Sequence, residues 1–130
     1  MIVLDASVVV ELLINGELAD GLRRDMEQRV DAFIVPHLLD IEVASALRRM
    51  TTARRIDSYY MDQLLGELAA LPAERCAYVP MLPRIWELRH NFTCYDAAYV
   101  ALAEMTDSVL YTCDAKLKKG HRARMKVFGG

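Results

Sequence analysis

A three-layer α/β/α fold around a mostly parallel central sheet is what this sequence predicts, and three observations carry the expectation. Short, largely apolar runs at 2–4, 33–35 and 108–112 lack the polar alternation of a half-solvated sheet, which is the pattern of strands covered on both faces. Longer segments with apolar residues at helical spacing separate these runs, as connections between parallel strands require. With 130 residues, 54% of them hydrophobic, and no tract rich in Pro, Gly and Ser, the chain has material for one core and reads as one domain over 1–130.

Taken in order, residues 2–4 form a buried strand, and the following Asp-Ala-Ser turns into a helix over 8–13. A second strand at 33–35 is closed by Pro36, which suits a strand end. The segment 38–50 is helical, with Leu39, Val43, Leu47 and Met50 near one face and Glu42, Ser45 and Arg49 near another. Residues 52–71 continue as a second helical unit, and the stretch carrying Pro72, Pro80 and Pro83 breaks the chain before a short helix at 84–89. Alanine-rich 95–105 is helical again and puts Asp96 in its first turn. A strand at 108–112 delivers Asp114, and 126–128 supplies a last short strand.

Other classes of protein are disfavoured on composition. The apolar opening carries Asp5 and Glu11, with no basic leader or small-residue cleavage pattern, and no run approaches the roughly 20 apolar residues of a membrane span, so the expected location is the cytosol. Cys76, Cys94 and Cys113 form no CxxC pair, and their odd number fits a reducing compartment, where they read as small packing residues. His37, His90 and His121 have no zinc-ligand spacing, and no glycine-rich phosphate loop is present. Trp86 reads as an interior anchor. Tyr59, Tyr60, Met61, Leu64, Leu65 and Leu68 read as core, with a dimer seam as the alternative.

Four acids stand out. Asp5, Glu42, Asp96 and Asp114 punctuate apolar segments, IVLDAS, LDIEVASALRR, YDAAYVALAE and LYTCDAKL, in which an ionised carboxylate is costly without a partner. Asp5 and Asp114 follow strands while Glu42 and Asp96 lie near helix starts, so all four are expected at the rim where an open parallel sheet gathers its ligands. Carboxylates so gathered favour a hard divalent ion, Mg2+ or Mn2+, which compensates their repulsion and orients water for phosphodiester hydrolysis. Each acid also has a structural reading: Asp5 and Asp96 as helix caps, Glu42 as the partner of Arg49, Asp114 as a stabiliser of the turn before Lys116. Ser7 and Thr112 have two readings as well, as hydrogen-bond partners of a carboxylate or metal-bound water and as ordinary cap or turn residues.

A net charge of -2 gives no global signature for nucleic acid, yet it conceals an asymmetry. After Asp114 come Lys116, Lys118, Lys119, Arg122, Arg124 and Lys126 with no acid among them. Beside an acidic metal pocket such a run suits a phosphodiester backbone, and by itself it is also what a solvated face looks like. Arg48, Arg49, Lys116, Lys118, Lys119, His121 and Arg122 are the candidates for contact with such a backbone, with neutralisation of the acids or pairing with a protein partner as alternatives.

The ordered set IVLDAS, IEVASALRR, YDAAYVALAE and YTCDAKL, spread over nearly the whole chain, resembles a PIN-domain ribonuclease, and more narrowly a VapC-type toxin of a toxin-antitoxin pair. The resemblance implies Mg2+- or Mn2+-dependent endonucleolytic cleavage of RNA, with Asp5, Glu42, Asp96 and Asp114 as the acidic metal site and Thr112 as its near neighbour. It also implies dimerisation, and inhibition by a cognate VapB-type antitoxin whose C-terminal segment occupies the groove near the acids. DNA binding then belongs to the antitoxin, and this chain is expected to contact neither DNA nor membrane. Where some members carry a further acid after the position of Asp114, this chain has Ala115, Lys116, Leu117 and Lys118, which removes a ligand for a second tightly held ion. Two other classes compete: a catalytically inactive protein of the same fold that binds a partner, and a phosphoacceptor signalling domain. The latter is disfavoured by the separation of Glu42 from Asp114 and by the absence of a clear lysine ending a later strand.

Overall fold

The computed structural model describes residues 1–129 and shows five strands and six helices. In chain order these are β1 (Ile2–Leu4), α1 (Ala6–Leu13), α2 (Ala19–Glu27), β2 (Phe33–Pro36), α3 (Leu39–Thr52), α4 (Met61–Ala69), β3 (Ala73–Cys76), α5 (Leu82–Glu87), α6 (Cys94–Met105), β4 (Val109–Thr112) and β5 (Arg124–Val127). Every strand pair is parallel and the sheet order is β3-β2-β1-β4-β5, so the predicted α/β/α architecture is present with a wholly parallel sheet. Helix α1 packs on α2, α3 and α4, whereas α6 packs on α5 and crosses β1, β2 and β4.

The centre of the sheet consists of the aliphatic runs legible in the sequence. Ile2, Val3, Leu4, Ile34, Val35, Leu110 and Tyr111 are all buried. Helix α6 is buried on every side through seven consecutive residues, 97–103, and its alanines let the backbone approach the strands closely. Helices α3 and α4 are amphipathic and bury Leu39, Val43, Leu47, Leu64 and Leu68.

Several expectations need correction. The stretch expected to be a proline-rich break contains β3, an edge strand with sequence AERC. It has no apolar run to betray it, and its place depends on Arg75, which grips Asp40 through two hydrogen bonds of 2.9 and 3.3 Å and donates to the Leu68, Leu71 and Ala73 carbonyls. The helix expected over 52–71 is interrupted. Arg54 adopts a left-handed φ of 57°, and Asp57 caps a 3-10 turn, Ser58–Tyr60, that leads into α4. Helix α2, mostly polar, is not announced by any apolar run, and β5 begins two residues earlier than expected. Trp86 is an exterior residue, 62% exposed, with the Arg89 guanidinium 4.5 Å from its ring centroid. Of the Tyr59 to Leu68 stripe, Leu64 and Leu68 are core while Tyr59, Tyr60 and Leu65 face outward.

The strand order sets where chemistry can occur. From β1 the chain moves outward through β2 and β3, and then returns to place β4 on the other flank of β1 with β5 beyond it. The crevice beyond the carboxyl ends of β1 and β4 is therefore the switch point at which open α/β sheets bind ligands. Asp5 follows β1 directly, and Asp114 follows β4 after one residue.

Candidate acidic site

Asp5 is the deepest of the four acids, 6% exposed, and serves as the N-cap of α1 by accepting the Val8 amide at 3.1 Å. The Ser7 hydroxyl fastens it to the neighbouring strand. Ser7 Oγ donates to the Asp5 carboxylate at 2.5 Å and accepts the Cys113 amide at 2.9 Å. The Thr112 hydroxyl stands near Asp5, where it helps to hold the carboxyl down, and accepts the Asp114 amide at 3.0 Å. Ser7 and Thr112 thus bind successive amides at the exit of β4, and Ser7, by turning its proton to Asp5, joins the ends of β1 and β4 where the crevice opens. Burial pushes the Asp5 carboxyl above its ordinary range, these hydrogen bonds oppose that, and the charge of Asp96 adds to the rise.

Glu42 lies in the first turn of α3, half-buried. Its partner is Tyr99, whose hydroxyl donates to Oε1 at 2.7 Å; Arg49 instead donates to Ser45 at 3.2 Å. The Glu42 carboxyl is raised by burial first, with the charges of Asp96 and Asp5 adding and Tyr99 and Arg49 opposing. Asp96 sits in the first turn of α6, but the cap of that helix is Thr93, whose side chain accepts the Asp96 amide at 3.1 Å. Burial, then the charge of Asp114, raises the Asp96 carboxyl, while Thr93 and Lys116 oppose. Asp114 caps the 3-10 turn Ala115–Lys118 by accepting the Lys116 amide at 2.9 Å.

The four acids therefore interact as one set: Asp5 with Asp96 and Glu42, Glu42 with Asp96, and Asp96 with Asp114. Among the described residues none of the four is in an ion pair, although Arg49 and Lys116 stand near enough to lower Glu42 and Asp96 respectively. Nor, among the described residues, are three His, Cys, Asp or Glu side chains already drawn together into a cage for an ion. This donor set of hard oxygens with uncompensated repulsion fits a divalent cation that keeps part of its water shell, as Mg2+ does, and not a tightly enclosed ion. An open groove of about 310 Å³, lined by Ile41, Glu42, Ser45, Arg49 and Tyr95, leads to the edge of the set.

The basic tail is less uniform than its sequence. Arg122 pairs with Glu104 at 3.5 Å, Arg124 with Asp107 at 3.4 Å, and Lys126 with Asp25. His121 has both ring nitrogens engaged, Nδ1 accepting the Ala123 amide at 3.1 Å and Nε2 facing the Leu117 carbonyl, so it does not offer a free donor to phosphate. Lys116, Lys118, Lys119, Arg48 and Arg49 remain exposed, and of these Lys116 and Arg49 act electrostatically on the acids. The three cysteines are free thiols, none fully buried, and burial raises the Cys76 and Cys113 thiols, which makes them poor nucleophiles. Sequence reasoning does not reach Tyr99 or Thr93. A phenol three residues after Asp96 on the same helical face was the available signal for Tyr99.

Residues 2–122 match the model of the PIN domain family. The chain is 37% identical over 127 residues to the VapC ribonuclease Mb0985 of Mycobacterium bovis, covering 98% of this chain and 96% of the relative. It is 41% identical over 120 residues to ribonuclease VapC1 of Mycobacterium tuberculosis, covering 88% and 86%. Among solved structures, PAE2754 from Pyrobaculum aerophilum superposes with a TM-score of 0.74 at 21% identity, over 97% of this chain and 83% of that one. VapBC2 from Rickettsia felis, solved bound to a DNA fragment from its promoter, gives a TM-score of 0.73 at 13% identity over 98% and 99%; both likenesses concern the fold. The chain belongs to the PIN-domain family, and its relatives within that family are VapC ribonucleases.

Proposed function

We propose that this protein is a divalent-cation-dependent endoribonuclease, the growth-inhibiting toxin of a toxin-antitoxin pair, with Asp5, Glu42, Asp96 and Asp114 as its catalytic and metal-holding residues. The observation that supports this reading is a chain of neighbouring carboxylates, Asp5, Glu42 and Asp96 acting on one another and Asp114 on Asp96, none ion-paired among the described residues, beside the switch point of a parallel sheet. Relatives named VapC ribonuclease over nearly the full chain support the substrate class.

Held by Asp5, Glu42, Asp96 and Asp114, a Mg2+ or Mn2+ ion would supply Lewis acidity, lowering the pKa of a water and offsetting charge on the attacked phosphate. The chain's part is to hold donors still for it. Asp5 is pinned by Ser7 and the Val8 amide, with Thr112 near it; Glu42 is tied to Tyr99; Asp96 has Asp114 as its charged neighbour. Lys116 and Arg49 flank the acids and attract the phosphodiester backbone, with Lys118, Lys119 and Arg48 extending that field. A VapB-type antitoxin occludes the groove at Ile41, Glu42 and Tyr95, and DNA contact in the complex belongs to the antitoxin. The toxin acts as a homodimer in the cytosol, where its RNA substrate is found, and residues 1–130 constitute the nuclease domain.

Purified protein, free of antitoxin, is expected to cut total cellular RNA into discrete fragments with Mg2+ or Mn2+. Those fragments should vanish with chelator and in Asp96→Asn. Intact RNA after incubation with folded, partner-free protein under either ion would refute the assignment and favour a binding role for the same fold.

A further inference from the structure

We propose that Tyr99 is a positioning residue of the acidic site, holding the Glu42 carboxylate by one oxygen so that the other is presented to the cation; this rests on the cation-dependent reading above. Tyr99 is 1% exposed, in the middle of the wholly buried stretch of α6, yet its hydroxyl reaches Glu42 Oε1 on α3 at 2.7 Å. Oε2 of Glu42 accepts no hydrogen bond among the described residues. The bond joins the two helices that bring Glu42 and Asp96 to the crevice, and Tyr99 shares a face of α6 with Asp96.

The chemistry requires such a tether. Glu42 has three rotatable side-chain bonds, is half-buried, and is repelled by Asp5 and Asp96, while Arg49 draws it the other way along the groove. An untethered Glu42 would swing outward. An ordinary phenol keeps its proton at neutral pH, so the hydroxyl is available as a donor to the carboxylate. Arrangements in which a neighbouring hydrogen bond fixes a metal-binding carboxylate contribute about 10- to 100-fold in metal affinity.

The test is Mn2+ binding by calorimetry in the absence of RNA, on the full chain and on Tyr99→Phe, Glu42→Gln and the double variant. Phenylalanine keeps the ring in the core and leaves no unpaired buried donor, so melting in chelator should remain close to wild type. Tyr99→Phe is expected to weaken Mn2+ binding by about 10-fold or more, and to raise the Mn2+ concentration needed for half-maximal RNA cleavage while leaving the rate at saturating Mn2+ within a few-fold. In the Glu42→Gln background the same substitution should change nothing further. Wild-type affinity in Tyr99→Phe alongside weakened binding in Glu42→Gln, or an additive loss in the double variant, overturns the positioning role alone. A wild-type protein that does not bind Mn2+ overturns the cation reading itself.

Discussion

Replacing Asp96 by Asn should stabilise the metal-free protein while removing its response to metal. The sign follows from the direction of the carboxyl shifts. Asp5, Glu42 and Asp96 are each raised in the folded state, by burial first and by one another's charge in addition. An acid whose folded pKa lies above its unfolded value favours the fold when protonated. That contribution is present at pH below the unfolded value near 4 and is lost as pH rises through the elevated folded value, so each of the three weighs against the fold once it is ionised. The Asp96→Asn substitution removes one partly buried charge and relieves Asp5, Glu42 and Asp114 together. Against this stands the loss of a favourable acid in the first turn of α6, about 0.3 to 1 kcal/mol. The helix cap survives, because Thr93 accepts the backbone amide of residue 96 and not its side chain. Asp96 is only half-buried, so solvent screens part of the repulsion, and the net gain should be about 1 kcal/mol, low in the usual range for relieving a functional site. For a chain of this size that is roughly 4 °C in Tm. Thermal unfolding in chelator at pH 7, repeated with added Mg2+ or Mn2+, reads both effects. Wild type should rise with metal and Asp96→Asn should start higher and stay flat; a variant that melts lower in chelator and gains as much as wild type from metal would refute the reasoning.

Three further outcomes are expected. Ser7→Ala removes a hydrogen bond to a buried carboxylate and a partner of the Cys113 amide, and should cost about 2 to 4 kcal/mol in urea unfolding; a loss below about 0.5 kcal/mol would mean that the two strand ends are not joined through this hydroxyl. Lys116→Ala should raise KM for RNA and shallow the dependence of binding on salt, by about 0.7 in log-log slope if one phosphate contact on a single strand is lost. Arg122→Ala, whose guanidinium already faces Glu104, should leave that slope unchanged, and equal effects of the two variants would argue for an undifferentiated basic surface. In chelator, stability should fall as pH rises from about 4 toward neutrality, whereas below the ordinary carboxylate range it should fall again as Asp25 and Glu104, both lowered by their cationic and hydrogen-bonding partners, take up protons. A stability maximum at neutral pH in metal-free protein would contradict the first limb.

What the sequence made legible follows from the range of the interactions involved. Strands β1, β2 and β4 declare themselves because each is a local aliphatic run, and Asp5, Glu42, Asp96 and Asp114 are conspicuous because each interrupts one. Edge strand β3 was invisible: AERC has no strand pattern, and Arg75 stays there through groups that come from α3 and the end of α4. The break at Arg54 depends on a single left-handed residue in a sequence that otherwise continues a helical period. Tyr99 is hidden in an apolar helix because its hydroxyl's partner, Glu42, is distant in sequence. The basic tail looks uniform in sequence for the same reason, since Glu104, Asp107 and Asp25, which engage three of its cations, lie well before it in the chain.

The most direct test is the rate of RNA cleavage as a function of Mn2+ concentration, for the wild-type protein and for Asp5→Asn, Glu42→Gln, Asp96→Asn and Asp114→Asn. Cleavage that requires the ion, and that falls by about 100-fold or more in each of the four folded variants, is the predicted result. Cleavage that persists in chelator, or that survives in any two of the four, would contradict a shared acidic centre.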